Sequence, residues 1–277
     1  MKGPVVKMTN KSIGVFDSGL GGLTAVKELL NILPNENIVY FGDTGRVPYG
    51  NRSNETITRY AMQDIAFLKS MGVKIVIAAC GTVSSVATKL KNELSVPFTG
   101  VVNPTSVAAI NATRNNKIGV IGTTATIKSH SYKKAMESIR PNIQVFEQDC
   151  PLFVPLVENG IISPDDPILK LTVERYLSNF KKEGIDTIIL GCTHYPIISD
   201  SISEFMGQSV TLIDSGKETA LFAAEILKEK NLLNTSAQKG DCSFFVSDTT
   251  NGFSEVANLF LGSNTEHNVH QVDIEAF

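Results

Sequence analysis

The stretch Ile75-Val76-Ile77-Ala78-Ala79-Cys80-Gly81-Thr82 has a near copy in Thr187-Ile188-Ile189-Leu190-Gly191-Cys192-Thr193-His194. Each is an unbroken run of β-branched and aliphatic residues, the pattern of a strand covered on both faces, and each stops at a cysteine followed by small polar residues. Strands covered on both faces belong to parallel sheets flanked by helices, and in open α/β sheets ligands bind beyond the carboxyl ends of the strands. Both thiols are therefore placed for chemistry. A lone cysteine is ordinarily a small buried hydrophobe, and that reading is kept for Cys150 and Cys242.

The surroundings of the two stretches repeat as well. A glycine, Gly72 or Gly184, stands eight residues before each cysteine. After each cysteine come a helical segment and a further apolar strand, Phe98 to Val102 or Val210 to Ile213, which ends in a polar turn, Asn103-Pro104-Thr105 or Asp214-Ser215-Gly216. Upstream, Ile13-Gly14-Val15-Phe16-Asp17-Ser18 matches Ile118-Gly119-Val120-Ile121-Gly122-Thr123. The chain reads as a duplicated α/β unit: two pseudo-symmetric parallel-sheet α/β domains with the active site in the cleft between them, one thiol on each wall. Asn103-Pro104 marks the crossing, so residues 1–103 plus 214–277 are expected to form the first domain and 104–213 the second.

Composition narrows the function classes. A length of 277 residues fits about two domains. No apolar run approaches the roughly 20 residues of a membrane span, and the first ten residues lack the apolar core of a signal peptide, so a cytoplasmic enzyme is expected. The net charge of −3 without a basic cluster gives nucleic acid nothing to bind. Four cysteines with no C-x-x-C spacing argue against a structural zinc site, and a reducing compartment argues against disulfides. His267 and His270 form an H-x-x-H pair without neighbouring acidic or cysteine ligands, which reads as surface; no metal is expected. Residues 1–10 read as a loose tail.

In chain order, strand Ile13 to Phe16 runs into Asp17-Ser18-Gly19-Leu20-Gly21-Gly22. Such glycines either make a tight strand-to-helix turn or bare amide groups for a carboxylate or phosphate, and the spacing is not that of a dinucleotide or P-loop motif. Asp17, a carboxylate at a strand end, requires a partner. A helix follows with Leu23, Val26, Leu30 and Leu33 on one face. Strand Ile38 to Phe41 delivers the stiff loop from Gly42 to Gly50, which carries Arg46 and Tyr49, and helix 54–70 packs with Ile57, Tyr60, Ala61, Ile65 and Leu68. Strand 117–121 ends in Gly122-Thr123-Thr124-Ala125-Thr126, whose hydroxyls either hold a small polar ligand or cap a helix. Strand 143–146 leads to the segment from Pro151 to Gly160, in which Glu158 is either turned into the cleft or solvated. Asp166 before Pro167 starts a helix whose buried stripe is expected at Ile168, Leu171 and Leu177.

A cleft with a thiol on each wall admits three chemistries. A Cys–His hydrolase would need an imidazole against one sulfur, and His194, two residues beyond Cys192, shares its face only if extended geometry persists. A redox pair needs the sulfurs in contact. A two-base proton transfer needs them on opposite sides of one carbon: a thiolate removes a proton and a thiol returns one from the other face, which is racemisation or epimerisation. Asp17 and His194, one in each half, would tune the neighbouring thiols.

The set Phe16-Asp17-Ser18-Gly19-Leu20-Gly21-Gly22, Pro48-Tyr49-Gly50, Ala79-Cys80-Gly81-Thr82, Pro155-Leu156-Val157-Glu158 and Gly191-Cys192-Thr193-His194-Tyr195-Pro196 resembles the cofactor-independent aspartate/glutamate racemase family, and within it the glutamate racemases, which make D-glutamate for peptidoglycan. The resemblance implies that Cys80 and Cys192 are the acid/base thiols, that Asp17 assists Cys80, and that Glu158 and His194 assist Cys192. It places substrate contacts on Asp17, Ser18, Tyr49, Gly50, Thr82, Thr193 and His194, with Thr123 and Thr126 nearby, and it implies glutamate as the substrate, no cofactor, and a homodimer as the common assembly. One position departs from the pattern: the family usually has asparagine after the first cysteine, whereas Gly81 leaves only a backbone N–H, so affinity and the choice of glutamate over aspartate hang on it. Aspartate racemisation, a glutamate-binding protein that has lost activity, and a Cys–His amidase are the alternatives.

Overall fold

The computed structural model describes residues 8–86, 94–262 and 268–277. Ten strands alternate with helices: β1 (Ile13–Asp17), β2 (Ile38–Gly42), β3 (Ile75–Ala78), β4 (Phe98–Gly100), β5 (Lys117–Gly122), β6 (Gln144–Asp149), β7 (Thr187–Leu190), β8 (Thr211–Asp214), β9 (Cys242–Val246) and β10 (Val269–Gln271). They form two wholly parallel sheets, ordered β10-β9-β2-β1-β3-β4 and β6-β5-β7-β8. The order β2-β1-β3-β4 recurs as β6-β5-β7-β8, which is the duplication read in the sequence. Every residue of β1, β2, β3 and β7 is buried, as strands sandwiched between helices demand.

The helices are α1 (Leu23–Ile32), α2 (Asn54–Ser70), α3 (Gly81–Val86), α4 (Val102–Ala112), α5 (Thr124–Ser129), α6 (Ser131–Ile139), α7 (Phe153–Glu158), α8 (Pro167–Glu183), α9 (Ser199–Met206), α10 (Ser215–Glu229) and α11 (Phe253–Leu261). Helix α10 lies against α1 and α4 and so joins the two sheets. The largest apolar cluster is shared by both halves, running from Leu23, Val26 and Leu29 through Ala220 and Ala223 to Leu190 and Tyr195. At the amino end of the first sheet Lys74 is wholly buried, 2.5 Å from Glu36, and donates to the carbonyls of Thr9 and Leu232. The pair thereby satisfies charges that would otherwise be costly to bury.

Three expectations change. The strand expected from Phe98 to Val102 stops at Gly100, because α4 starts at Val102 and takes Pro104 into its first turn, where a missing N–H costs nothing. Asp214-Ser215-Gly216 is likewise a helix start: the Asp214 carboxylate accepts from the amides of Gly216 and Lys217. On α8 the Asp166 cap is as expected, accepting from Ile168 N and Leu169 N, but Ile168 and Leu171 are exposed and the buried stripe is Leu169, Thr172, Val173, Leu177 and Phe180. Residues 1–7 of the expected tail and His267 lie outside the described residues; Met8–Asn10 form a 3-10 turn, and His270 is exposed on β10.

Candidate active site

Because all strands within a sheet are parallel, the segments after β1, β2, β3, β5, β6 and β7 emerge at carboxyl edges, and there they enclose a cavity of about 400 Å³. Asp17, Ser18, Tyr49, Gly50, Cys80, Gly81, Thr82, Thr123, Thr126, Glu158, Cys192, Thr193 and His194 all line it. So do Val47, Pro48, Val154 and Pro155, which sequence reading had not placed at the site. Val154 stands one helical turn before Glu158 on α7, and that i, i+4 spacing was the signal available for it.

On the first wall the ladder of β3 continues through Ala79, whose amide donates to Phe16 O, and this sets Cys80 beside the end of β1. Cys80 Sγ lies 3.3 Å from Ser18 Oγ. Asp17 accepts from Gly22 N at 2.8 Å through Oδ2, while Oδ1 is buried with no hydrogen-bond partner among the described residues. Burial raises the Asp17 carboxyl above its ordinary range, against the pull of the Gly22 amide and of His194. Burial, reinforced by the charge of Asp17, likewise pushes the Cys80 thiol up to about 12. Cys80 therefore rests as a protonated thiol.

The second wall is built differently. Cys192 Sγ lies 3.9 Å from His194 Nδ1, and the Nε2–H of His194 donates to Glu158 Oε1 at 3.1 Å. Burial pulls the imidazole down, but its bonds to Cys192 and Glu158 and their negative charge outweigh burial and hold it up to about 10. An imidazolium thus stands beside the sulfur. From the sequence, His194 shares a face with Cys192 only if extended geometry persists. It does not: the backbone turns helical at His194 (φ −80°, ψ −27°), which brings the ring back to the sulfur.

The walls meet through a set of hydroxyl groups. Thr82, Thr123 and Thr126 form a chain of hydroxyls at 3.2 and 3.0 Å, and Ser85 pairs with Ser131 at 2.9 Å. Thr123 also caps α5 through Thr126 N, so the capping and lining readings of this loop hold together. The Cα of Gly81 is pressed on the other half: a Cβ there would lie 2.5 Å from the carbonyl oxygen of Gly191. Tyr49 contributes differently from what a substrate-facing phenol would, since its hydroxyl is donated to Asp43 and the ring is buried. Among the described residues no group of three or more His, Cys, Asp or Glu side chains is gathered for a metal ion, and no helix is long and apolar enough to cross a membrane.

The profile of the Asp/Glu/Hydantoin racemase family matches residues 24–223. Over 267 residues the chain is 46% identical to a glutamate racemase of Geobacter metallireducens, which covers 96% of this chain and 98% of that one. A glutamate racemase of Neisseria meningitidis is 43% identical over 92% of this chain and 94% of its own length. Among solved structures, Francisella tularensis glutamate racemase in complex with D-glutamate superposes with a TM-score of 0.89 at 39% identity, covering 97% of this chain and all of that one. A glutamate racemase isoform from Bacillus anthracis gives 0.91 at 38% identity, covering 96% of this chain and 98% of that one.

Proposed function

The chain belongs to the Asp/Glu/Hydantoin racemase family, and we propose that it interconverts L- and D-glutamate by proton transfer between Cys80 and Cys192. The observation that carries this reading is the placement of the two thiols at the carboxyl ends of the equivalent strands β3 and β7, both lining one cavity between the sheets. In one direction the Cys192 thiolate takes the α-proton and becomes a thiol, and the electron pair left on carbon delocalises into the adjacent carboxylate. Cys80 then delivers its own proton to the opposite face and is left as a thiolate. Configuration is inverted, no electrons are gained or lost, and the enzyme is ready to run the step backwards. The hydroxyls of Ser18, Thr82, Thr123 and Thr193 and the backbone of Gly81 are the polar groups available to hold the substrate's amino and carboxylate groups.

Glutamate rather than aspartate is supported by the names of the relatives, and turnover rather than mere binding by the unlike surroundings of the two sulfurs, which suit one as acid and the other as base. The product fits the D-glutamate of peptidoglycan. The cysteines, all free, fit a reducing cytosol, and a homodimer rests on the family resemblance alone. Incubation with L-glutamate in deuterated water should yield D-glutamate carrying deuterium at the α-carbon. A panel that includes aspartate reads the selectivity, and absence of α-exchange with either enantiomer of glutamate overturns the proposal.

A further inference from the structure

Val47, Pro48, Tyr49 and Gly50 form a wall of the cavity, yet Val47 is about half exposed and the loop that carries them follows an exposed residue, Gly45. What fixes it is a cluster on its far side, of which only Tyr49 lines the cavity. Arg46 Nε donates to Asp43 Oδ2 at 2.6 Å, and Nη2 donates to Asp64 Oδ1 of α2 at 3.1 Å. Nη1 donates to Gln63 and to Glu275, near the C-terminal end, at 3.2 Å for the latter. The guanidinium lies 4.1 Å over the ring of Tyr60. Tyr49 gives its hydroxyl to the same carboxylates, Asp43 and Asp64, and Asp43 accepts a further bond from Ser247 Oγ just after β9.

Asp43 and Asp64 are both fully buried, and burying a second carboxylate against one cation is tolerable only if its charge is suppressed. Burial, with the charge of Asp43 next to it, holds the Asp64 carboxyl well above the usual range. The fork geometry of guanidinium is what spans these separate acceptors.

We infer that Arg46 is a positioning residue for the substrate: by drawing Asp43, α2 and Glu275 onto one guanidinium it holds the backbone of Val47–Gly50 as a fixed wall of the cavity. The inference rests on the reading of that cavity as the glutamate site. Two turns bracket the wall, closed by the amide of residue 46 on Asp43 O and by Arg52 N on Tyr49 O, and they report on it without turnover.

The test uses the full chain with Arg46→Lys, which keeps the charge and loses the fork, and Glu275→Gln, a change at an exposed partner that cannot unfold the protein. Arg46→Lys is expected to raise KM for glutamate by about tenfold or more with a smaller change in kcat, since displacing a positioning wall costs up to about a hundredfold. Glu275→Gln is expected to raise KM by about twofold, as an exposed ion pair warrants. In both variants amide exchange at residues 46 and 52 should be faster than in the wild type. Unchanged exchange at both amides overturns the inference whatever the turnover. A lower kcat at unchanged KM also overturns it, because that marks only a smaller folded fraction. A wild-type protein inert toward glutamate sinks the functional proposal instead, and the exchange measurement still decides whether Arg46 holds the wall.

Discussion

Cys80 and Cys192 occupy equivalent positions in the repeat but unlike electrostatic surroundings: one beside a buried carboxylate and a serine hydroxyl, the other beside an imidazolium tied to Glu158. Replacing either should stop racemisation without stopping all chemistry. Cys80→Ser and Cys192→Ser are each expected to lower racemisation by about 10² to 10⁴, the usual worth of a positioned acid or base. Each should still exchange the α-proton of the one enantiomer that faces the remaining thiol, as read by NMR in deuterated water; racemisation at the wild-type rate in either variant refutes the two-base scheme. The same asymmetry sets the alkaline limit of stability. His194 is raised from 6.5 to about 10, so its charged form contributes stability that is complete below pH 6.5 and is lost as pH climbs through its folded value. Cys80, raised from 9.0 to about 12, adds a further loss between those values because the fold favours its thiol. The thermal midpoint of the wild type should therefore fall more steeply from pH 7 to pH 11 than that of His194→Gln; parallel slopes would show that the imidazole carries no such linkage.

At the scale of single elements, α3 and α8 show where a sequence speaks and where it is silent. Both thiols were legible because each ends a strand buried on two faces, a pattern carried entirely by neighbouring residues. The pairing of His194 with Cys192 was expected, but its geometry was not, since it depends on the helical backbone at His194; nor was the Arg46 cluster legible, whose partners come from α2 and from the far end of the chain. On α8 the period was readable but the phase was not. Ile168, Leu169, Leu171, Val173 and Leu177 spread around the helix, and the residue that fixes the buried face is Thr172, whose hydroxyl hides its polarity by donating to Ile168 O at 2.7 Å. Leu177→Ala should therefore cost about 2–5 kcal/mol, while Ile168→Ala should stay within about 0.5 kcal/mol, both measured by denaturant unfolding. The start of α3 shows the converse, a residue visible in the sequence whose meaning needed the structure. Gly81 was expected to matter as a missing amide, yet its Cα seats on the Gly191 carbonyl, a backbone atom that yields only if the two halves separate. Gly81→Asn is accordingly expected to raise KM for glutamate, although it restores the residue usual in the family. A lower KM would mean that the lost amide outweighs the contact.

For the molecule as a whole, the repeated order β2-β1-β3-β4 and β6-β5-β7-β8 places two equivalent carboxyl edges around one cavity, with β9 and β10 extending only the first sheet. A racemase must accept two mirror-image ligands in one site, and a cleft between like halves suits that need: inverting the configuration exchanges which wall the α-hydrogen faces, while the polar groups lining the cavity, drawn from both halves, would keep hold of the rest. The halves are joined by helix packing on one side and by the hydroxyl chain of Thr82, Thr123 and Thr126 on the other, so a ligand in the cavity ties them together and must stabilise the fold. In the double variant Cys80→Ser, Cys192→Ser, where neither enantiomer is converted, L- and D-glutamate should each raise the thermal midpoint. At a hundredfold excess over the dissociation constant the gain is about 2.7 kcal/mol for either. A shift with only one enantiomer would show that the cleft, despite its repeated framework, is built for a single configuration, and inversion within it would then need a mechanism other than two opposed thiols.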